Sequence, residues 1–159
     1  MTDAVEYGEA IRVTIEKNNP VEGVIAHSFG AMAMLLLLAE EPGLAIKAVV
    51  ANNPPAELST LIDIFAERLE LPESVLNGLR RNIHSRFGRP VEYFSLKSHI
   101  RSVTGSGMII ADRNDALARF EDTQYLASQW PGARLFVTDG LGHSRRLRHV
   151  PDPALRRDL

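Results

Sequence analysis

A chain of 159 residues, 45% apolar and 24% charged, has the size and composition of one globular domain with a real core. Its formal charge of -2 argues against general nucleic-acid binding, and the absence of cysteine excludes disulfides and thiolate metal sites. The start, MTDAVEYGEAIR, lacks the basic and apolar regions of a signal peptide, and the longest strong apolar stretch, Ala31–Ala39, is about half of the roughly 18 residues a membrane span needs, so a cytoplasmic protein with no membrane partner is expected.

In chain order, residues 3–17 pattern as a helix, with Val5, Ile11 and Ile15 on one face and Asn18-Asn19-Pro20 as its stop. Gly23–Ala26 reads as a short buried strand. From Phe29 to about Glu40 a helix follows that is apolar all round, which predicts cover on several sides. Pro42-Gly43 breaks it, and Ile46–Ala51 forms a second buried strand ended by Asn52-Asn53-Pro54-Pro55. Two helices are predicted next, over 59–69 and 73–87, the second with Val75, Leu79, Ile83 and Phe87 four apart. Met108–Ile110 is a third strand, Phe120–Trp130 a helix, Ala133–Val137 a fourth strand, and a last short helix starts at Ser144.

Continuous apolar strands alternating with helices indicate an α/β fold: a mostly parallel sheet of about four strands with helices on both faces. Residues 56–100 interrupt the alternation, so 1–159 reads as a single domain with 56–100 as a helical cap insertion.

One junction carries chemistry. In Ala26-His27-Ser28-Phe29-Gly30 a serine stands between the first strand and the apolar helix, and the stretch resembles the G-x-S-x-G nucleophile elbow of the α/β-hydrolase superfamily, with alanine in place of the first glycine. A sharp turn there lifts the hydroxyl clear of the sheet, and small flanking residues let strand and helix pass closely. The resemblance implies Ser28 as nucleophile and the Phe29 N–H as an oxyanion donor at the helix N-terminus, with Ala26, His27 and Gly30 supporting the elbow. Taken alone, Ser28 also fits a helix N-cap.

A serine needs a histidine to take its proton and a carboxylate to orient that histidine. In the superfamily the chain order is Ser, acid, His, each after a strand. GMIIADRNDALARF supplies a strand followed by Asp112 and Asp115, and ARLFVTDGLGHSRRL supplies a strand followed by Gly140-Leu141-Gly142-His143. Intervals of 87 residues from Ser28 to Asp115 and 28 from Asp115 to His143 suit a capped hydrolase. Asp115, last in D-R-N-D, is the expected acid; Asp112 comes sooner after its strand and is expected to shape the turn. His84 and His99 in the insertion, and His149, read as surface or structural. Arg145, Arg146 and Arg148 read as a solvated helix face. No pair of histidines has metal-site spacing, and no cofactor is implied.

The resemblance covers the later two-thirds of a hydrolase domain. The strands that normally precede the elbow, and the loop that supplies a second oxyanion N–H, have no counterpart in the sequence. The first strand would therefore be an apolar edge open to pairing, and a homodimer or partner chain along Val24–Ala26 is expected. Two functions follow: a serine hydrolase cleaving a small acyl substrate in a pocket lined by 58–87, or a hydrolase-like protein, whole or fragment, that lacks a full oxyanion hole and acts as a binding or assembly module. A nucleotide-binding protein is disfavoured, because no glycine-rich phosphate loop is present.

Overall fold

The structure, a computed structural model, describes residues 4–44 and 46–144. The predicted helix from Ser144, His149 and the three arginines lie outside the described residues. Four strands, β1 (Val21–His27), β2 (Ile46–Asn52), β3 (Ser106–Asp112) and β4 (Ala133–Thr138), form one sheet in sequential order, all parallel. The helices are α1 (Ala4–Lys17), α2 (Phe29–Glu40), α3 (Leu58–Arg68), α4 (Glu73–Phe87), α5 (Leu96–His99) and α6 (Phe120–Gln129), with 3-10 turns at Val91–Tyr93 and Ile100–Ser102. No helix among the described residues is long and apolar enough to cross a membrane.

Sequential parallel strands joined by right-handed crossovers send each crossover helix to the same face of the sheet. Accordingly α2 packs on β1 and β2, α6 packs on β3 and β4, and both touch α5 and the turn at Ile100–Ser102. This covered face carries the register row Ala26, Ala51, Ile109 and Leu135. Because α2 is also covered by α1, every residue from Ala31 to Leu38 is buried, which is why it could be apolar around its whole circumference. Gly107 meets the indole of Trp130 so closely that a Cβ there would lie 2.0 Å from Cη2.

Of the two faces expected to carry helices, the described helices that contact the sheet occupy one. The other displays Ile25, Val50, Met108 in one register row and Ile110, Phe136 in the next, with Ile25 81% and Phe136 54% exposed. Among the described residues β1 pairs with β2 alone and so forms an edge of the sheet. In the 56–100 segment, α3 and α4 bury only Ala66 and Ile83 on their helical faces, while Phe65, Leu69, Val75 and Leu79 stay exposed. α4 ends on Gly88 in a left-handed conformation, whose N–H returns to the His84 carbonyl at 2.9 Å.

Candidate active site

β1 ends in a sharp turn at Ser28, whose backbone adopts φ 54 and ψ -128, a region sparsely occupied by residues with a Cβ. The turn is held from both sides. Ser28 N–H donates to the Asn52 carbonyl at 2.9 Å, and the Ser28 carbonyl accepts from Ala31 and Met32 N–H at 3.0 and 3.1 Å. The Ser28 side chain makes no capping hydrogen bond to α2, which removes the N-cap alternative. Its hydroxyl lies instead 2.7 Å from His143 Nε2.

His143 follows β4 on a turn in which Gly140 and Gly142 have φ of 73 and 62, values that residues with a Cβ adopt at a cost. Its Nδ1 lies 2.8 and 3.0 Å from Asp115 Oδ2 and Oδ1. An ionised carboxylate only accepts, so Nδ1 carries the proton and Nε2 is left to accept from the Ser28 hydroxyl. The Asp115 side chain is fully buried, and its Oδ1 also accepts from Leu117 and Ala118 N–H at 2.8 and 2.9 Å. Burial pushes this carboxyl upward, but the bonds from His143, Ala118 and Leu117 outweigh it and hold Asp115 below the usual carboxylate range. The three side chains come from the C-terminal ends of β1, β3 and β4, which parallel pairing places along one rim of the sheet.

Phe29 and Gly30 open α2, where the first N–H groups of a helix have no intrahelical acceptor. Among the described residues no hydrogen bond occupies either amide, and both stand beside Ser28 at the positive end of the helix dipole. Gly30 also keeps room for Tyr7: a Cβ there would stand 3.3 Å from the Tyr7 ring. Ala26 sits in the covered register row beneath α2. His27 Nε2–H donates to the His143 carbonyl at 2.9 Å, and its ring lies 5.0 Å from the His143 ring.

Asp112 takes no part in the contact to His143's ring. It accepts from Asn114 N–H at 3.0 Å, as a turn-shaping residue would, and also from the turn that carries His143. Asn53 was legible only as part of a strand stop. It is fully buried at φ 49, and its Nδ2 reaches the Gly142 and His143 carbonyls at 3.4 and 3.3 Å. His99 Nδ1 bonds the Ser95 carbonyl at 2.8 Å, a structural role, and His84 is exposed. Among the described residues no group of three or more His, Asp or Glu could hold a metal ion.

A cleft of about 550 Å³ runs along α2 from Ala33 to Glu40, and none of Ser28, Asp115 and His143 lines it. Its apolar lining includes Leu36, Leu37, Phe87 and Phe94. From 58–87, Arg86 and Phe87 line this cleft beside α1, α2 and the turn after Pro90, so it is not the acyl pocket expected over Ser28.

A parallel sheet with a strained serine between strand and helix, and an acid and a histidine after later strands, defines the α/β-hydrolase fold. The chain has that fold, and solved structures of hydrolases superpose on it. A Pyrococcus furiosus esterase matches with a TM-score of 0.66 at 24% identity, over 99% of this chain and 61% of its own. A YdeN-like hydrolase from Pectobacterium atrosepticum matches with a TM-score of 0.60 at 20% identity, over 90% of this chain and 59% of its own. An α/β hydrolase from the sediment metagenome of the Mar Chica lagoon, Morocco, gives 0.65 and 18%, over 92% and 64%. The chain therefore spans about three-fifths of the length of these structures. No protein-family profile and no curated protein sequence matches it.

Proposed function

We propose that the protein is a serine hydrolase acting on a small ester or related acyl compound. The observation that carries this reading is the continuous hydrogen-bond relay from Ser28 Oγ through His143 to the buried Asp115. Ser28 Oγ attacks the acyl carbon while its proton passes to His143 Nε2, and the resulting imidazolium is stabilised by Asp115. The oxyanion accepts the Phe29 N–H at the start of α2. His143 then returns the proton to the leaving alcohol. Water, activated by the same histidine, cleaves the acyl-enzyme and frees Ser28. Each step moves protons and acyl groups only, so the cycle is complete without a cofactor. Ala26, His27 and Gly30 support the elbow.

The test is labelling of purified protein by a fluorophosphonate, read as intact mass, with Ser28→Ala alongside. One adduct on wild type and none on the variant is expected; an unlabelled, folded wild type would sink the reading. A second reading is favoured by two features: among the described residues β1 is an edge, and the one amide assigned to the oxyanion, Phe29 N–H, comes from the start of α2. On that reading the protein is an incomplete hydrolase-like binding or assembly module. Labelling with steady turnover of a p-nitrophenyl ester separates the two.

The same edge supports pairing with a second copy along Val24–Ala26, beside the exposed Ile25. Light scattering is expected to give twice the chain mass, and a monomer mass at every concentration refutes that pairing.

A further inference from the structure

The turn that carries His143 is gripped by a second carboxylate. Asp112 ends β3 directly opposite Thr138 in the β3–β4 register and is completely buried. Its Oδ2 accepts from the Thr138 hydroxyl at 2.6 Å and from Leu141 N–H at 3.1 Å. Its Oδ1 accepts from Asn114 N–H at 3.0 Å and from Gly142 N–H at 3.1 Å. Gly140 N–H goes to the neighbouring Asn114 Oδ1 at 3.1 Å. Two successive amides, Leu141 and Gly142, thus meet the Asp112 carboxylate as in a nest for an anion, and the Gly140 amide beside them meets a neutral amide oxygen. The left-handed backbone at Gly140 and Gly142 shapes it, and the anion is part of the chain itself.

The opposite side of the turn is gripped too. His27 Nε2–H and Asn53 Nδ2 both donate to the His143 carbonyl, at 2.9 and 3.3 Å. Amides 141 and 142 are therefore fixed toward β3, and the next carbonyl toward the ends of β1 and β2. The imidazole projects from this fixed backbone to Asp115 and Ser28. We propose that Asp112 is a positioning residue for His143: by holding the Leu141 and Gly142 amides it sets the ring at the distance and angle at which Nε2 meets Ser28 Oγ while Nδ1 meets Asp115. The charge is part of the device. Among the described residues four donors converge on two oxygens, and an amide in that place would turn an N–H against at least one of them, leaving a buried donor unpaired.

The kinetic half of this proposal rests on the serine-hydrolase reading; the geometric half does not. Asp112→Asn and Thr138→Val are compared with wild type, with exposed Asp139→Asn as the control. The ring 15N shifts of His143 report which nitrogen carries the proton. The fluorophosphonate labelling rate reports the aim of the ring, and the unfolding midpoint reports folding. Folded Asp112→Asn is expected to lose the single Nδ1–H tautomer and to label about 10²-fold more slowly, the scale of a misplacement of about 1 Å. Labelling should slow in the chemical step, with probe binding unchanged. Thr138→Val should shift both readouts in the same direction by a smaller factor, and Asp139→Asn neither.

A folded Asp112→Asn with wild-type ring shifts and labelling overturns the proposal. Should that variant fail to fold, wild-type ring shifts in Thr138→Val overturn it instead. A wild type that shows the Nδ1–H tautomer but never labels refutes the hydrolase reading, and the ring shifts of the variants still decide the role of Asp112.

Discussion

Replacing Asp115 by asparagine tests the relay most sharply, because the backbone dictates how the new side chain must sit. Leu117 and Ala118 N–H both bond Oδ1, so the amide oxygen of the substituted side chain is drawn to that position. Its NH₂ then replaces Oδ2, the atom 2.8 Å from His143 Nδ1. A donor there forces Nδ1 to accept, moves the ring proton to Nε2, and presents an N–H to the Ser28 hydroxyl. The fold is kept and the tautomer is reversed. Nδ1–H carries one proton, so its bifurcated bond to the carboxylate counts once, at about 1.5–3 kcal/mol for a charged partner, and the lost Ser28 hydroxyl bond to Nε2 adds about 0.5–1.5 kcal/mol, about 2–4.5 kcal/mol together. At 1.36 kcal/mol per decade this is about 30-fold to 10³-fold in rate. Fluorophosphonate labelling followed over time measures it, with a denaturant midpoint close to wild type as the check on folding. A folded Asp115→Asn that labels within about tenfold of wild type would refute the reasoning.

Three further outcomes are expected. Ser28→Gly abolishes labelling yet raises stability by about 1–3 kcal/mol in urea unfolding, because it releases a residue held at φ 54. Gly107→Ala places a methyl 2.0 Å from Trp130 Cη2 and lowers stability by about 1–3 kcal/mol or more, seen as a drop in Tm. Stability falls in acid with a definite sign: burial raises Asp112, but bonds from Thr138 and the Asn114, Gly142 and Leu141 amides outweigh it, and Asp115 is depressed likewise. Their contribution is present above the unfolded value of about 3.9 and is lost as pH falls through their lower folded values. The urea midpoint should thus hold above about pH 5 and fall below about pH 4, with a shallower acid limb in Asp112→Asn.

Much of the fold was written in local pattern. The serine after a continuous apolar run, followed by a helix without a polar face, marked Ser28 because a buried parallel strand and a covered helix each leave that signature. The strand and helix limits differ from the expected ones by a few residues, for example Ser106–Asp112 against Met108–Ile110, because pairing with neighbours extends a strand beyond its apolar centre. The short helices between Val91 and Ser102 were not legible. The first packs on α3 and α4 and buries Val91, the other two pack on α2 and bury Leu96 and Ile100, and tertiary packing, not a helical period, sets them. The grip of Asp112, His27 and Asn53 on the 140–143 turn was invisible for another reason. Its partners lie up to 116 residues apart and are mostly backbone groups, which no side-chain motif records.

Ser28, Asp115 and His143 lie in the turns that follow β1, β3 and β4, and their hydrogen-bond relay closes within the described residues. The oxyanion is different. The amide proposed for it, Phe29 N–H, belongs to the first turn of α2, and a missing donor costs about 10²–10³ in rate. Phosphonylation of Ser28 and turnover of an ester should therefore part company: the first reports the relay, the second the full oxyanion site. If a second chain on the β1 edge supplies the additional donor, turnover per chain rises with protein concentration over the range in which the dimer forms. A specific activity constant across that range would place the whole oxyanion site within one chain, and α2 would have to carry it.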